Sequence, residues 1–404
     1  MGRGGAVSIA ARRAPVAMVS GMVAADHGQG GASWAVLQYV LGLDRLGFET
    51  VLVEPVATAA TAARAEGEAP LSTTPAAAYF DNVVRRFGLH GRACLVRPAT
   101  GEVHGVDPDE LAALVERATV LFNVSGMLPL HGLDRLGVGF GAIPVRVYLD
   151  LDPGFNQLWH EACGIDMGFD AHTHHVTVGL SIGRDDCPIP TCGRDWIATL
   201  PPVVLDCWPM AGPVTTDALT TVGNWRSYGP IEHDGVHYGQ KAHSVRGLLA
   251  LAERSPKSVR AAFDVHPGET ADHRALTAHG WSLLDPKAVA GTPDDYHDFV
   301  SGSWGEVGIA KSGYVASRSG WFSDRSACYL AAGRPVVAQD TGFSDHLPTG
   351  AGLFGFDDVD QAVAAVAAVA SDYEHHRHAA RRLAEDHFDS DVVLGRVLCE
   401  VGAR

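Results

Sequence analysis

Apolar residues recur along this chain in short blocks, separated by polar and glycine-rich stretches. VAMVSGM (16–22) is a continuous apolar run of the length expected for a buried strand. ADHGQGG (25–31) follows as a glycine-rich loop. Ser33 is the expected N-cap of a helix over SWAVLQYVLGLDRLG, in which Trp34, Leu37, Val40 and Leu41 return at helical spacing on one face. FETVLVEPV (48–56) reads as a second strand. A strand, loop, helix and strand in that order favour a parallel sheet with helices on both faces.

The pattern continues with an Ala-rich surface excursion (57–77), helices over AAYFDNVVRRFGL and PDELAALVERA, and strands in TVLFNVSG and PVRVYLDLDPG that end in polar loops. Residues 155–213 are irregular and rich in His, Cys and Pro, closing on PPVVLDCWP, an expected connection between domains. Then the pattern restarts. ALTTVGNW (218–225) is a strand and polar loop, KAHSVRGLLALAERS (241–255) a helix, VRAAFDVHP (259–267) a strand. SRSGWFSDRSACYLAAGRPVVAQDTGFSDH (317–346) reads as a loop, a short helix ended by Gly333, a strand and a second polar loop. Helices over AVAAVAAVASDYEHHRHAARRLAED and DSDVVLGRVLCEVG complete the chain. The fold class is α/β, two Rossmann-like domains facing across a cleft. The expected division is a disordered lead-in at 1–14, domains at 15–213 and 214–385, and a terminal helix at 386–404. In open α/β sheets ligands bind beyond the C-terminal strand ends, where these polar loops fall.

The length agrees with two domains, because 404 residues exceed what one hydrophobic core usually covers. A net charge of −16 argues against a non-specific nucleic-acid binder, and no nucleic acid is expected among the partners. An anionic ligand stays possible, since backbone N–H groups and one or two cations suffice to hold a phosphate. Lysine is scarce, with only Lys241, Lys257, Lys287 and Lys311. Seven scattered cysteines suit a reducing cytoplasm better than a disulfide framework. No signal peptide and no apolar run long enough to span a membrane is visible. A homodimer is compatible with all of this.

Several residues could carry chemistry. Ser323 and Asp324 can cap the helix beginning near Arg325, whose free N–H groups and positive dipole end would make an anion site. The alternative is a structural corner whose loops are merely polar. Gly30 and Gly31 permit close backbone approach to phosphate or sugar, or simply make a tight turn. His27 is a candidate general base, since an imidazole suits proton abstraction near neutrality, and Asp26 could orient it or be the base itself. Asp150 and Asp152, two apart in YLDLDPG, would point the same way on a strand as a metal–diphosphate pair, or mark a polar strand end facing the cleft. HTHH (172–175) with Cys187 and Cys192 could bind zinc, but the spacing fits an irregular loop better, and no metal is expected. His174 or His175 could line an acceptor pocket beside Asp152.

AAGRPVVAQDTGFSDHLPTGAGLFGFDDVDQAVAAV resembles the C-terminal donor-binding half of nucleotide-sugar glycosyltransferases of the GT-B fold, closest to the glycogen-synthase-like group. QGGASWAVLQYVLGLDRLGFETVLVEP is similar to that group's opening glycine pair, helix and strand, VGNW with GQKAHSVRGLLAL to the strand and Lys-bearing helix opening its second domain, and FDSDVVLGRVL to its terminal helix. Residues 57–215 are not covered beyond the order of elements. The resemblance implies a glycosyltransferase moving a sugar from a nucleotide-diphosphate sugar, as co-substrate, to an acceptor hydroxyl of a small molecule, natural product or envelope glycan. It implies acceptor binding by the first domain and donor binding by the second, with no permanently bound cofactor. Lys241 matches the family's lysine; Asn224 stands where the family often has Arg. Ser319, Gly320, Trp321, Ser323, Asp324 and Arg325 from one loop and Thr341, Gly342 and Asp345 from the other would grip the donor, diphosphate at the helix start and sugar hydroxyls at Asp345. One departure matters: the family's paired glutamates are replaced by Gly320 and Cys328, so the stereochemistry does not carry over. A sugar-nucleotide epimerase or hydrolase of the same fold, or a non-catalytic two-lobed binder, are the other readings. A dinucleotide oxidoreductase is disfavoured, as the G-x-G-x-x-G fingerprint is absent and Glu54 is only a faint echo of its acidic residue.

Overall fold

Strand Val16–Ser20 is fully buried and pairs in parallel with Glu49–Pro55 on one side and Ala118–Val124 on the other. The computed structural model describes residues 14–56, 69–131 and 134–404; most of the 57–77 excursion therefore lies outside the described residues, as does nearly all of the lead-in. Around these strands an eight-stranded sheet forms in the order Glu102–His104, Ala93–Arg97, Glu49–Pro55, Val16–Ser20, Ala118–Val124, Val145–Asp150, His174–Thr177, Trp196–Ala198. Only its Glu102–His104 edge is antiparallel. A second sheet of six parallel strands runs Ser282–Leu283, Val259–Asp264, Thr216–Asn224, Ser303–Gly308, Val336–Gln339, Leu353–Phe356. Both sheets reverse strand order once, beside Val16–Ser20 and between Thr216–Asn224 and Ser303–Gly308. These are the switch points where α/β sheets open a crevice.

The halves share an apolar seam. Trp34, on helix Gly30–Arg45, meets Trp208 with ring centroids 5.0 Å apart, and the same buried cluster includes Tyr296, Phe322 and Ala327. The indole of Trp34 also donates to the Pro293 carbonyl at 2.8 Å. Helix Ser390–Glu400 returns to pack on helix Gly30–Arg45, and Arg45 grips Asp391 through two bonds of 2.9 and 3.0 Å.

Four expectations need correction. Ser33 is not the N-cap: Gln29 is, and Ser33 already sits in the first turn, its hydroxyl turned to the Val23 carbonyl and Tyr79. The helix read over AAYFDNVVRRFGL begins earlier, at Pro75 with Thr74 as its cap, after a 3-10 turn Leu71–Thr73. The 155–213 stretch supplies helix Phe155–Glu161 and two strands that extend the first sheet. The single helix read over 241–255 is two, Lys241–Gly247 and Ala250–Arg254, broken at Leu248 and Leu249.

Candidate functional site

At the switch point of the second sheet, Gly223, the penultimate residue of strand Thr216–Asn224, has φ +159°, which is extended backbone. A Cβ there would stand 3.5 Å from Lys241 Nζ and 3.6 Å from Arg325 Nη1. Two basic side chains from different helices therefore converge on one backbone position that carries no side chain. Lys241 opens its helix and donates to the Ile309 carbonyl at the end of the neighbouring strand. Burial, then the charge of Arg325, hold its pKa well below the usual lysine range. Arg325 donates to the Val222 carbonyl at 2.8 Å and pairs with Glu306, a carboxylate with no exposure. A narrow pocket beside them is lined by Ile309, Ala310, Trp321, Arg325 and Gln339, and Gln339 also borders a cavity of about 700 Å³. The larger cavity lies against His243, Ser244 and Asp357, whereas Arg325 lines the smaller one.

The loop residues around this point are largely engaged. Helix Asp324–Ala331 has Ser323 at its N-cap without a side-chain bond. Burial raises the Asp324 carboxyl, while Arg325 and the N–H groups of the helix's own first turn pull it down. The helix start expected to cradle diphosphate thus already faces a carboxylate of its own, and Lys241 and Arg325 lie at the strand end instead. Ser319 is buried, and its carbonyl accepts from Ser181 N–H at 2.9 Å. Gly320, at φ +73°, has no room for a side chain: a Cβ would meet Leu180 and Ser181 within 3.1 Å. Trp321 stacks on Tyr314 at 4.3 Å, and Thr341 donates to the Trp321 carbonyl. Gly342 donates to Asp340 at 2.9 Å. Asp345 is exposed and paired with Arg318 at 3.2 Å, while its neighbour His346 reaches Ser181 at 3.0 Å. Asn224 turns to Ser227 at 3.5 Å, as a turn residue does.

In the first half, Ala25, Asp26 and His27 are exposed, and Asp26 accepts from Gln29 rather than orienting His27. The loop is fixed from below by Glu54. Its wholly buried carboxylate accepts from Ala24 N–H at 2.9 and 3.0 Å and from Ala25 N–H at 2.6 Å. Burial raises its pKa to about 7 against the pull of those amides. Gly30 and Gly31 make their close approach to protein: a Cβ on Gly30 would lie 2.0 Å from the Thr292 carbonyl oxygen, and one on Gly31 2.8 Å from the Tyr296 ring.

Asp150 and Asp152 do not act as a pair, because the strand ends at Asp150 and the alternation stops there. Asp150 is buried and accepts from Asn156 at 2.6 Å, Gln157 at 2.8 Å, Thr177 at 2.7 Å and the Asp152 N–H at 3.0 Å; burial lifts it to about 6. Asp152 enters the cleft and meets Lys311, Tyr228 and Tyr314 of the other half. His175 is buried among Tyr148, Phe169 and Trp196, and half-buried His174 bonds Thr173 at 2.9 Å. His172, bonded to the Gly168 carbonyl and Asn123, is driven down to about 4 by burial. Cys187 and Cys192 are free thiols, and among the described residues no cluster of three His, Cys, Asp or Glu is placed to hold a metal.

Sequence reasoning missed Glu306, Lys311, Tyr228 and Tyr314 as site residues, and weighed Glu54 only as an echo of a dinucleotide site rather than as the brace of the first loop. The two glutamates did leave a signal, each a lone charge inside an apolar strand, a pattern that calls for a buried partner. The others carry no local signal.

No family model matches the sequence, and no curated protein matches it. Solved structures do. An alpha-glucosyltransferase in complex with UDP-glucose and DNA containing an abasic site superposes with a TM-score of 0.61 at 12% identity, over 96% of this chain and 99% of that one. Sucrose-phosphate synthase from Thermosynechococcus elongatus gives 0.55 at 11%, over 97% and 100%. HepE from Anabaena, in complex with UDP and glucose, gives 0.53 at 9%, over 96% and 100%. The likeness spans both sheets, and the fold is that of the GT-B glycosyltransferases. It also overturns the exclusion of nucleic acid: the first of these structures, of the same fold across nearly its whole length, holds DNA. Net charge fails as a criterion because it sums over the whole surface, whereas a nucleic acid meets one face of it.

Proposed function

We propose that this protein transfers a sugar from a nucleotide-diphosphate sugar to an acceptor hydroxyl. The observation that carries the reading is the convergence of Lys241 and Arg325 on Gly223 at the switch point of the second sheet. Charge builds on the leaving diphosphate in the transition state, and Arg325 together with Lys241, whose ammonium form an arriving anion favours, stabilises it in a partly dry crevice where water screens the attraction less effectively. The second half, from residue 214, is the donor side, with the loops at Ser319–Arg325 and Thr341–Asp345 forming its walls. The first half is the acceptor side, where His27, on the loop braced by Glu54, is the base for the acceptor proton and Asp26 a second choice. The acceptor is a small molecule, a natural product, an envelope glycan or, on the strength of the DNA-bound alpha-glucosyltransferases, a base in DNA. No described helix is long and apolar enough to cross a membrane and the cysteines are free, which supports a cytoplasmic setting.

The test is a thermal-shift panel of UDP, GDP, dTDP and ADP against wild type and Lys241→Met, with and without EDTA. A nucleotide that binds only the folded state raises the midpoint by mass action, and saturation at 100 Kd adds about 2.7 kcal/mol. One nucleotide should raise the wild-type midpoint regardless of EDTA and lose its effect in the variant. A shift untouched by Lys241→Met would sink the site. Turnover of the matching sugar nucleotide without any acceptor would turn the reading to a hydrolase or epimerase.

A further inference from the structure

Asp152 follows strand Val145–Asp150 of the first sheet, and Lys311 follows strand Ser303–Gly308 of the second. Lys311 Nζ lies 2.9 and 3.1 Å from the two carboxylate oxygens of Asp152, and the hydroxyls of Tyr228 and Tyr314 donate to the same group. The rings of Tyr228, Phe155 and Tyr314 surround the ammonium at 4.4, 5.1 and 5.2 Å. One carboxylate of the first half is thus held by three side chains of the second. Two residues before Lys311, the Ile309 carbonyl receives Lys241, so this cluster adjoins the cation pair.

The charges at the switch point are nearly balanced. Arg325 is paired with Glu306 and Lys311 with Asp152, while among the described residues Lys241 has no carboxylate partner. A diphosphate brings more negative charge than one lysine offsets. An ammonium on a flexible four-carbon stem can change partners where a planar guanidinium, fixed in a fork, does not. We propose that Lys311 is a third diphosphate-binding cation held in reserve by Asp152, and that donor binding exchanges its partner from the Asp152 carboxylate to the diphosphate. The exchange leaves Asp152 free on the acceptor side of the cleft. This rests on the diphosphate site proposed above.

The two residues then act with opposite signs. By titration calorimetry of the full chain with inorganic pyrophosphate at fixed ionic strength, Lys311→Met should weaken binding about tenfold, the scale of one charge-assisted contact. Asp152→Asn, which keeps the shape and removes the competing charge, should strengthen it several-fold. Lys311→Arg, whose guanidinium stays on Asp152, should bind no more tightly than Lys311→Met, and unliganded melting curves confirm that each variant is folded. If Asp152→Asn binds pyrophosphate no better than wild type while Lys241→Met loses it, the cluster is a static tie and the exchange is wrong. If Lys241→Met also binds as wild type does, the diphosphate site itself is misplaced and the exchange falls with it.

Discussion

Glu54 is the residue whose environment says most about how the first loop is held. Its carboxylate has no exposure and its acceptor capacity is spent on the amides of Ala24 and Ala25, immediately before Asp26 and His27. Burial lifts its pKa from 4.5 to about 7. Between those values the folded protein keeps a proton that the unfolded chain has released, so the stability Glu54 contributes is lost as pH rises through this window. The full shift is worth ~3 kcal/mol at about 1.4 kcal/mol per unit. The advantage in unfolding free energy of wild type over Glu54→Gln should therefore shrink from pH 5 to pH 8. Asp150 titrates in the same sense and His172 in the opposite one, but both are common to the two proteins and cancel. A pH-independent difference would mean that Glu54 does not titrate. The apolar run around Glu54 made the strand legible in the sequence; the carboxylate's partners, thirty residues earlier, were not, because backbone amides leave no trace in residue identity.

At the scale of elements, helix Asp324–Ala331 and its surroundings show what pattern can and cannot convey. Its buried face of Cys328, Leu330 and Ala331 and its stop at Gly333, φ +65°, follow from spacing and glycine chemistry. The next residue does not. Arg334 has no exposure and donates to the Ser301 carbonyl at 2.9 and 2.6 Å and to the Gly212 carbonyl at 2.8 Å. It joins the end of one helix, the segment entering the second sheet and the last turn of helix Pro293–Gly302. Arg334→Ala leaves those buried carbonyls unpaired, at about 1–3 kcal/mol for each group left without a donor. Denaturant unfolding should show a loss of that order with an unchanged slope; a loss under 0.5 kcal/mol, the range of an ordinary surface change, would show that water replaces the guanidinium.

For the whole molecule, both sheets and their facing arrangement were legible, since apolar strands ending in polar loops recur twice along the chain. Contacts between halves were not. The glycine pair 30–31 suggested a ligand, yet its missing side chains make room for Thr292 and Tyr296; composition cannot tell which surface a glycine lets approach. Gly30→Ala collides with backbone rather than with a side chain that could turn aside, so the halves must part locally. Overpacking of this kind costs about 1–3 kcal/mol, a shift of several degrees in Tm for a domain of this size. Calorimetry on the variant measures it, and an unchanged Tm would show that the seam yields freely.

The chain passes between the halves twice, near Val203 and near Asp389, and the two passages are hydrogen-bonded to each other. Val203 N–H donates to the Phe388 carbonyl at 2.7 Å, and Ser390 N–H to the Val203 carbonyl at 2.9 Å. Two separate tethers would allow sliding and twisting. Laced together they form one spine rather than two independent hinges, so any relative movement of the halves is expected to resemble the opening of a book more than a slide or a twist.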